Sequence, residues 1–274
     1  MPEAAPSRYV MGHSDRERRR LAIQGLILNP FTEQLMRRAG ITGGMRVLDI
    51  GCGIGDLSMM ASRLVGRHGQ VTALDMNEES LGAAQERIRE QGLTNVSFVH
   101  STVDEYRADD TFDAVVGRHI LIHVPDPLSV VQNAFRILRE GGVAVFQEFD
   151  FSVIQAAYPP CPFREQVLRL CKDFFCRATQ GDAGTRLFHL FVEAGFTAPD
   201  CRVEYPIDGG PDSPFYEWIA ESVRSFFPRA EALGMVEGLD IHLDTLAERL
   251  REEAVAVRAC CPAPLMVGGF ARKR

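Results

Sequence analysis

The string Val47-Leu48-Asp49-Ile50-Gly51-Cys52-Gly53-Ile54-Gly55-Asp56 carries the clearest chemical signal in the chain. Three alternating glycines after a β-rich run allow a backbone turn to approach a ligand that any Cβ would obstruct. Such a turn generally binds nucleotides, but two residues argue against a dinucleotide. The GxGxxG fingerprint requires glycine at position 56, where Asp56 stands. Asp49, just ahead of the turn, would repel a pyrophosphate and attract an ammonium group. No GKS/T follows, which excludes a P-loop. Asp75 ends the next β-rich run, where a carboxylate can accept both hydroxyls of a ribose. These residues describe a site for a nucleoside with a positive, non-phosphate tail.

A second group has acid–base potential. His119, His123 and Glu148 are the candidate catalytic bases, with Asp150 and His13 beside them. Glu148 and Asp150 flank Phe149 and are expected on opposite faces of an extended strand, so that at most one reaches a pocket. No third ligand clusters with them, and no metal is expected. Aromatic residues number 6 in residues 1–140 and 17 in residues 141–274. Phe149, Phe151, Tyr158, Phe174, Phe175, Trp218 and Phe226 are the pocket candidates. Phe146, Phe188, Phe191 and Phe196 have the spacing of a core. A largely apolar pocket with few polar groups is the usual small-molecule site, so an apolar or aromatic small molecule is expected.

The elements that must position these groups follow from periodicity. Residues 8–40 read as one or two helices, with Arg16 to Arg20 on the polar face and Asn29-Pro30 as a restart. From residue 45 to 149 strands and helices alternate. Strands fall at 46–50, 71–75, 96–99, 112–116 and 143–149, with Asn77 capping one of the helices between them. This alternation predicts an α/β fold: a mostly parallel, Rossmann-like sheet with helices on both faces. Two late strands, in 186–207 and 259–274, bring the sheet to seven. The chain reads as a single domain over 1–274. It comprises an N-terminal helical lid (1–40), a cofactor-binding core (41–150) and an inserted helical cap (151–185 and 208–258).

The 274 residues include 30 Lys+Arg against 37 Asp+Glu, a formal net charge of −7. That balance argues against a broad phosphate-binding surface and hence against nucleic acid. No apolar run approaches the roughly 20 residues that span a bilayer, and the N-terminus lacks a signal-peptide core. Seven cysteines without a CxxC pair read as free thiols of a reducing cytoplasm. A monomer or homodimer is compatible with these features.

The motifs VLDIGCGIGD, TALDMNEESL, FDAVVGRHILIHVPDP and LREGGVAVFQEFD resemble the class I S-adenosylmethionine-dependent methyltransferases. The small-molecule branch, with the ubiquinone and menaquinone biosynthesis enzymes, is the most similar. The resemblance covers residues 40–150 and, more distantly, the opening YVMGHSDRERRRL. It implies S-adenosyl-L-methionine as cofactor, with Asp49, Gly51, Gly53 and Gly55 around its methionine half. Asp75 would hold the ribose and Met76 would lie against the adenine. The family's Gly-Asp after the third strand is here Ser101-Thr102, so Thr102 and Val103 would line the adenine slot without the usual acid. Gly117 and Arg118 would line the methionine tail, with Arg118 on its carboxylate. Tyr9, Met11 and Gln24 would belong to the lid.

The implied activity is methyl transfer to a small molecule, at O, C or N, as a metal-independent in-line displacement. It would be helped by positioning and by a His or carboxylate base. The alternative is a cofactor-binding enzyme of the same fold that catalyses a non-methylating cyclisation or decarboxylation.

Overall fold

Aliphatic and β-branched runs form the strands of the first half, and helices follow all but the third of them among the described residues. A computed structural model describes residues 15–107 and 111–274, without the side chains of Asp15, Glu17 and Arg18. Helix α1 (Asp15–Arg38) leads into β1 (Arg46–Ile50), α2 (Asp56–Val65), β2 (Gln70–Asp75), α3 (Glu78–Glu90) and β3 (Val96–His100). Then come β4 (Phe112–Arg118), α4 (Pro127–Ile137), β5 (Leu138–Asp150), α5 (Pro162–Ala178) and α6 (Ala183–Glu193). The chain ends with β6 (Thr197–Glu204), β7 (Ile207–Gly209), α7 (Phe215–Ala232), α8 (Leu246–Ala256), β8 (Cys260–Pro262) and β9 (Leu265–Arg272).

Seven strands make one sheet in the order β3-β2-β1-β4-β5-β9-β6. The first five are parallel, and β9 runs antiparallel to both neighbours. Alternate residues of the central strands divide between two cores, as the period of two requires. Val47, Ala114, Val116, Val143 and Val145 pack with Leu35 and Met36 of α1 and Leu57 and Met60 of α2. Leu48, Ile50, Val115, Ala144 and Phe146 pack on the other face with Val131, Leu187 and Phe191. Burial of each of these large side chains stabilises the fold by about 1.5–3 kcal/mol.

Three local expectations change. Helix α1 is continuous through Pro30 rather than restarting there; Thr32, Leu35 and Met36 beyond it are buried against the sheet, and that packing outweighs the hydrogen bond Pro30 cannot donate. Strand β5 begins at Leu138, ahead of Gly141-Gly142, with a register shift against β4 between Phe112 and Ala114. Gly141 takes φ +76° there. Strand β6 ends at Glu204, and the following residues instead form a two-stranded ribbon in which β7 pairs with β8.

Candidate active site

The glycine turn connects β1 to α2, and its three glycines answer three different demands. Gly51, Gly53 and Gly55 take φ values of +67°, +53° and +86°, a region costly for residues with a Cβ. A Cβ on Gly51 would meet Ile120 Cδ1 at 2.7 Å, and one on Gly55 would press on Ala84 of α3 at 3.1 Å. A Cβ on Gly53 would meet nothing within 4 Å. Gly51 and Gly53 therefore line the cavity, whereas Gly55, expected around the ligand, faces α3 and lets two helices approach.

Two acids fix the turn. Asp75 Oδ2 accepts the Gly53 N–H at 2.8 Å, and Oδ1 accepts the Asn77 N–H at 2.9 Å. The end of β2 thereby holds the turn at the end of β1. Asp49 is only 1% exposed, and its Oδ2 accepts the Ser58 hydroxyl at 2.5 Å. Its Oδ1 is buried with no hydrogen-bond partner among the described residues. Burial pushes the Asp49 carboxyl up to about 7, against the opposing pull of Ser58 and Arg118, and Asp75 adds to the rise.

Met76, Thr102 and Val103 line the same cavity, of about 610 Å³. The Thr102 hydroxyl is engaged with Glu105, whose N–H it accepts at 3.2 Å. Asp104, which the sequence reading passed over, lines this end as well. Its Oδ1 accepts from Ser129 and Asn133 at 3.2 and 3.3 Å.

Gly117 departs from its expected place, whereas Arg118 keeps its own. Gly117 does not line the cavity; it sits where a Cβ would press on Ile120 and Phe146 at 3.0 Å. Arg118 reaches the cavity wall, but its guanidinium donates to Asn29 at 2.9 Å, Thr32 at 3.0 Å and Asp56 at 3.4 Å. Asp56 also receives Arg87 at 2.9 Å. Arg118 thus lines the cavity and also ties α1 to the start of α2. Tyr9, with Met11 and His13, lies outside the described residues.

The other end of the cavity is aromatic. Phe149, Phe151, Phe175 and Trp218 line it, joined by Leu168, Cys171 and Ile219. Tyr158 is 81% exposed, while Phe174 and Phe226 stack on each other at 4.4 Å behind the wall. Phe188, read as core, is half-exposed.

Helix α1 supplies polar groups to this end. Its buried stripe runs Arg20, Gln24, Ile27, Leu28, Thr32, Leu35 and Met36, a helical period of three to four. Arg20, placed on an outer polar face by the sequence reading, is 5% exposed and lines the cavity. The i, i+4 spacing of Arg20 and Gln24, in phase with Leu28 and Thr32, was the available signal. Arg20 donates to Gln24 Oε1 at 2.8 Å. Gln24 Nε2 lies 3.2 Å from His119 Nδ1, and the His119 ring stacks on Phe149 with centroids 3.9 Å apart.

Of the candidate bases, His119 and His123 line the cavity. Burial first, then the Arg118, His123 and Arg20 charges, holds His119 well below the usual histidine range. Burial and Arg20 bring His123 down to about 3. Both are neutral near pH 7. Glu148 faces away from the cavity: Oε1 accepts the N–H groups of Ile120 and Leu121 at 3.0 and 2.9 Å, and Oε2 that of Ile122 at 3.3 Å. Burial pushes its carboxyl up to about 8 against those three donors. Asp150 likewise turns outward, accepting the Thr185 N–H at 2.7 Å. The expectation of opposite faces fails because residues two apart on a strand share a face. Phe149, between them, takes the cavity side. Among the described residues, no group of three or more His, Cys, Asp or Glu gathers as a metal site.

The sheet order with its reversed β9, the glycine turn and the acids on β1 and β2 define a class I S-adenosylmethionine-dependent methyltransferase. Sequence comparison agrees: the methyltransferase domain family matches residues 41–191, more than half of the chain, and the chain belongs to it. The demethylmenaquinone methyltransferase of Listeria monocytogenes is 34% identical over 187 residues, covering 61% of this chain and 76% of that protein. The ubiquinone/menaquinone biosynthesis C-methyltransferase UbiE of Proteus mirabilis is 36% identical over 118 residues, 42% of this chain and 47% of that protein. The chain thus matches about half the length of that relative. In fold, a methyltransferase from Bacillus halodurans superposes with a TM-score of 0.57 at 20% identity, covering 88% of this chain and 97% of that one.

S-adenosyl-L-methionine is the cofactor of this class, and the residues present fit it. The orphaned Asp49 Oδ1 meets the need of an ammonium group, and the open space over Gly53 admits a ligand where a side chain would stand.

Proposed function

We propose that the chain transfers a methyl group from S-adenosylmethionine to an apolar or aromatic small molecule. The observation that carries this reading is one cavity with two unlike ends: a glycine turn flanked by Asp49 and Asp75, and a wall of Phe149, Phe151, Phe175 and Trp218. When bound, the cofactor supplies an electrophilic methyl group that needs no metal. Asp49 would hold its amino end, Asp75 the ribose, and Met76, Thr102 and Val103 the adenine.

The residues of the other end orient the acceptor and exclude water, and positioning of this kind contributes about 7–11 kcal/mol in favourable cases. Helix α1 (Asp15–Arg38) acts as the lid, and α5 and α7 act as the cap. Ion pairs Arg16–Glu221 and Arg19–Glu217, both 3.0 Å, join lid to cap. This arrangement supports treating the chain as a single functional domain. Among the described residues no helix is long and apolar enough to cross a membrane. We place the reaction in the cytoplasm, in keeping with the free thiols of the seven cysteines.

The test is incubation with methyl-labelled S-adenosylmethionine and a panel of hydroxylated aromatics, including demethylmenaquinol. Label transferred to one acceptor, with an equal amount of S-adenosylhomocysteine, is the expected result. Conversion of an acceptor without S-adenosylhomocysteine would establish the non-methylating alternative. Failure to bind S-adenosylhomocysteine at millimolar concentration would remove the cofactor reading altogether.

A further inference from the structure

The acceptor end of the cavity has an asymmetry that bears on what it can hold. Every carboxylate on the cavity wall, among the described residues, comes from the cofactor end: Asp49, Asp56, Asp75, Glu79, Asp104 and Asp126. Helices α1, α5 and α7 and the end of β5 contribute none. Helix α1 brings instead the guanidinium of Arg20 and the amide of Gln24, and the loop after β4 brings the ring of His119, set among aromatic side chains.

The hydrogen bonds around Gln24 determine which way its amide points. Arg20 Nη1 donates to Gln24 Oε1 at 2.8 Å, and Trp218 Nε1 donates to the same oxygen at 3.4 Å. Both groups are donors only. The amide oxygen must therefore face them, which leaves Nε2 to face His119 Nδ1 at 3.2 Å. An amide nitrogen cannot accept, so His119 Nδ1 offers its lone pair. A neutral imidazole with an accepting Nδ1 carries its proton on Nε2. That Nε2 is buried, with no partner among the described residues.

The ring cannot rotate out of this arrangement without loss. It stacks on Phe149 at 3.9 Å and 12°, and the His119 N–H donates to the Gln147 carbonyl at 2.9 Å. The His119 backbone is held at φ +54°, a conformation rare outside glycine. Burial first, then the charges of Arg118 from β4 and Arg20 from α1, keep it neutral; the titratable His123 from the loop after β4 also faces it.

Resting on the methyltransferase reading above, we propose that His119 is a fixed Nε2–H donor that binds an oxygen of the acceptor, and is not a general base. With Nδ1 committed to Gln24 and Nε2 already protonated, neutral His119 has no site to receive the acceptor's proton. The acceptor class is then an aromatic phenol or enol whose oxygen binds as an anion beside the Arg20 charge. A cationic amine is the least suited occupant. Gln24 is a positioning residue: it acts on the acceptor only through the imidazole it orients.

The experiment is long-range 1H–15N NMR of the full chain labelled in histidine, with S-adenosylhomocysteine present, alongside absorbance titration with 4-nitrophenol. The expected spectrum shows His119 protonated at Nε2 and bare at Nδ1 across neutral pH. Gln24→Glu preserves the oxygen that Arg20 and Trp218 use but faces Nδ1 with an acceptor, so Nδ1 becomes protonated. The phenol is expected to bind as the coloured phenolate, at least tenfold more weakly in Gln24→Glu and in His119→Phe. S-adenosylhomocysteine affinity should stay within threefold in both.

A wild-type His119 with its proton on Nδ1, or on both nitrogens, overturns the proposal. So does equal phenolate binding by His119→Phe, or no phenol binding by the wild type. If S-adenosylhomocysteine still binds in those cases, only this inference fails; if it does not bind the wild type, the cofactor reading fails with it.

Discussion

The two ends of the cavity are built from different parts of the polypeptide. At the β1–β2 end the main chain sets the geometry: three glycines at positive φ, and an Asp75 carboxylate that accepts the Gly53 and Asn77 N–H groups. At the other end side chains set it, from α1, the loop after β4, β5, α5 and α7. Gln24 and Trp218, 194 residues apart, share a hydrogen bond. The first end needs a few specified residues within one stretch of chain. The second needs only that several distant side chains converge with the right shape and polarity. The second end can therefore vary without disturbing the first.

The largest expected effect that tests this contrast is Gly53→Val. Its branched side chain would enter the space that a Gly53 Cβ finds open, and the positive φ would cost about 1–2 kcal/mol. Calorimetry should show no measurable S-adenosylhomocysteine binding in a protein that still melts cooperatively. Retained binding would mean that the turn does not receive the ligand.

Asp75→Ala should weaken binding by about one to two orders of magnitude, the value of one or two charge-assisted hydrogen bonds. An unchanged affinity in the folded variant would remove Asp75 from the ribose site.

Asp49 gives a pH signature. Its pKa is raised by burial from 3.8 to about 7, so between those values the folded chain keeps a proton that the unfolded chain releases. The stability it contributes is complete below about pH 4 and is lost as pH rises through about 7. A cationic ligand group needs the ionised form. Affinity for S-adenosylhomocysteine should rise by up to about tenfold per pH unit below 7 and level off above it. Asp49→Asn should flatten both trends, measured by thermal melts and calorimetry from about pH 5 to about 9. A pH trend that survives in Asp49→Asn would assign it to another group.

The smallest effect is expected from Glu148→Gln. One amide oxygen would replace two carboxylate oxygens opposite three N–H donors, lowering stability by about 1–3 kcal/mol. The pH–rate profile should not move. A lost limb in that profile would restore Glu148 as a base.

The glycine turn, Asp49, Asp75 and the five parallel strands were legible because each is a local pattern: a period of two, a breaker, an acid at a strand end. The protein partners of Arg118 were not legible, for the opposite reason. Its partners are distant in sequence: Asn29, Thr32 and Asp56 reach it from two helices. Glu148 looked like a base because it stands near the carboxyl end of a strand, where ligands of such sheets bind. Only the loop at 120–122, folded back over β5, shows that its oxygens are already occupied. Arg20 read as surface because a run of arginines is normally solvated, whereas the folded chain buries it on the cavity wall against Gln24.

The order of residues alone determined the sheet's first half, the turn and the kind of ligand that turn admits, because hydrogen-bonded backbone and glycine φ are dictated by short stretches of chain. The tertiary structure decided which polar groups line the aromatic end of the cavity, and that the Gln24 amide oxygen faces Arg20 and Trp218. Those choices depend on donors and acceptors that meet only when α1, α7 and β5 pack together, so no local pattern encodes them.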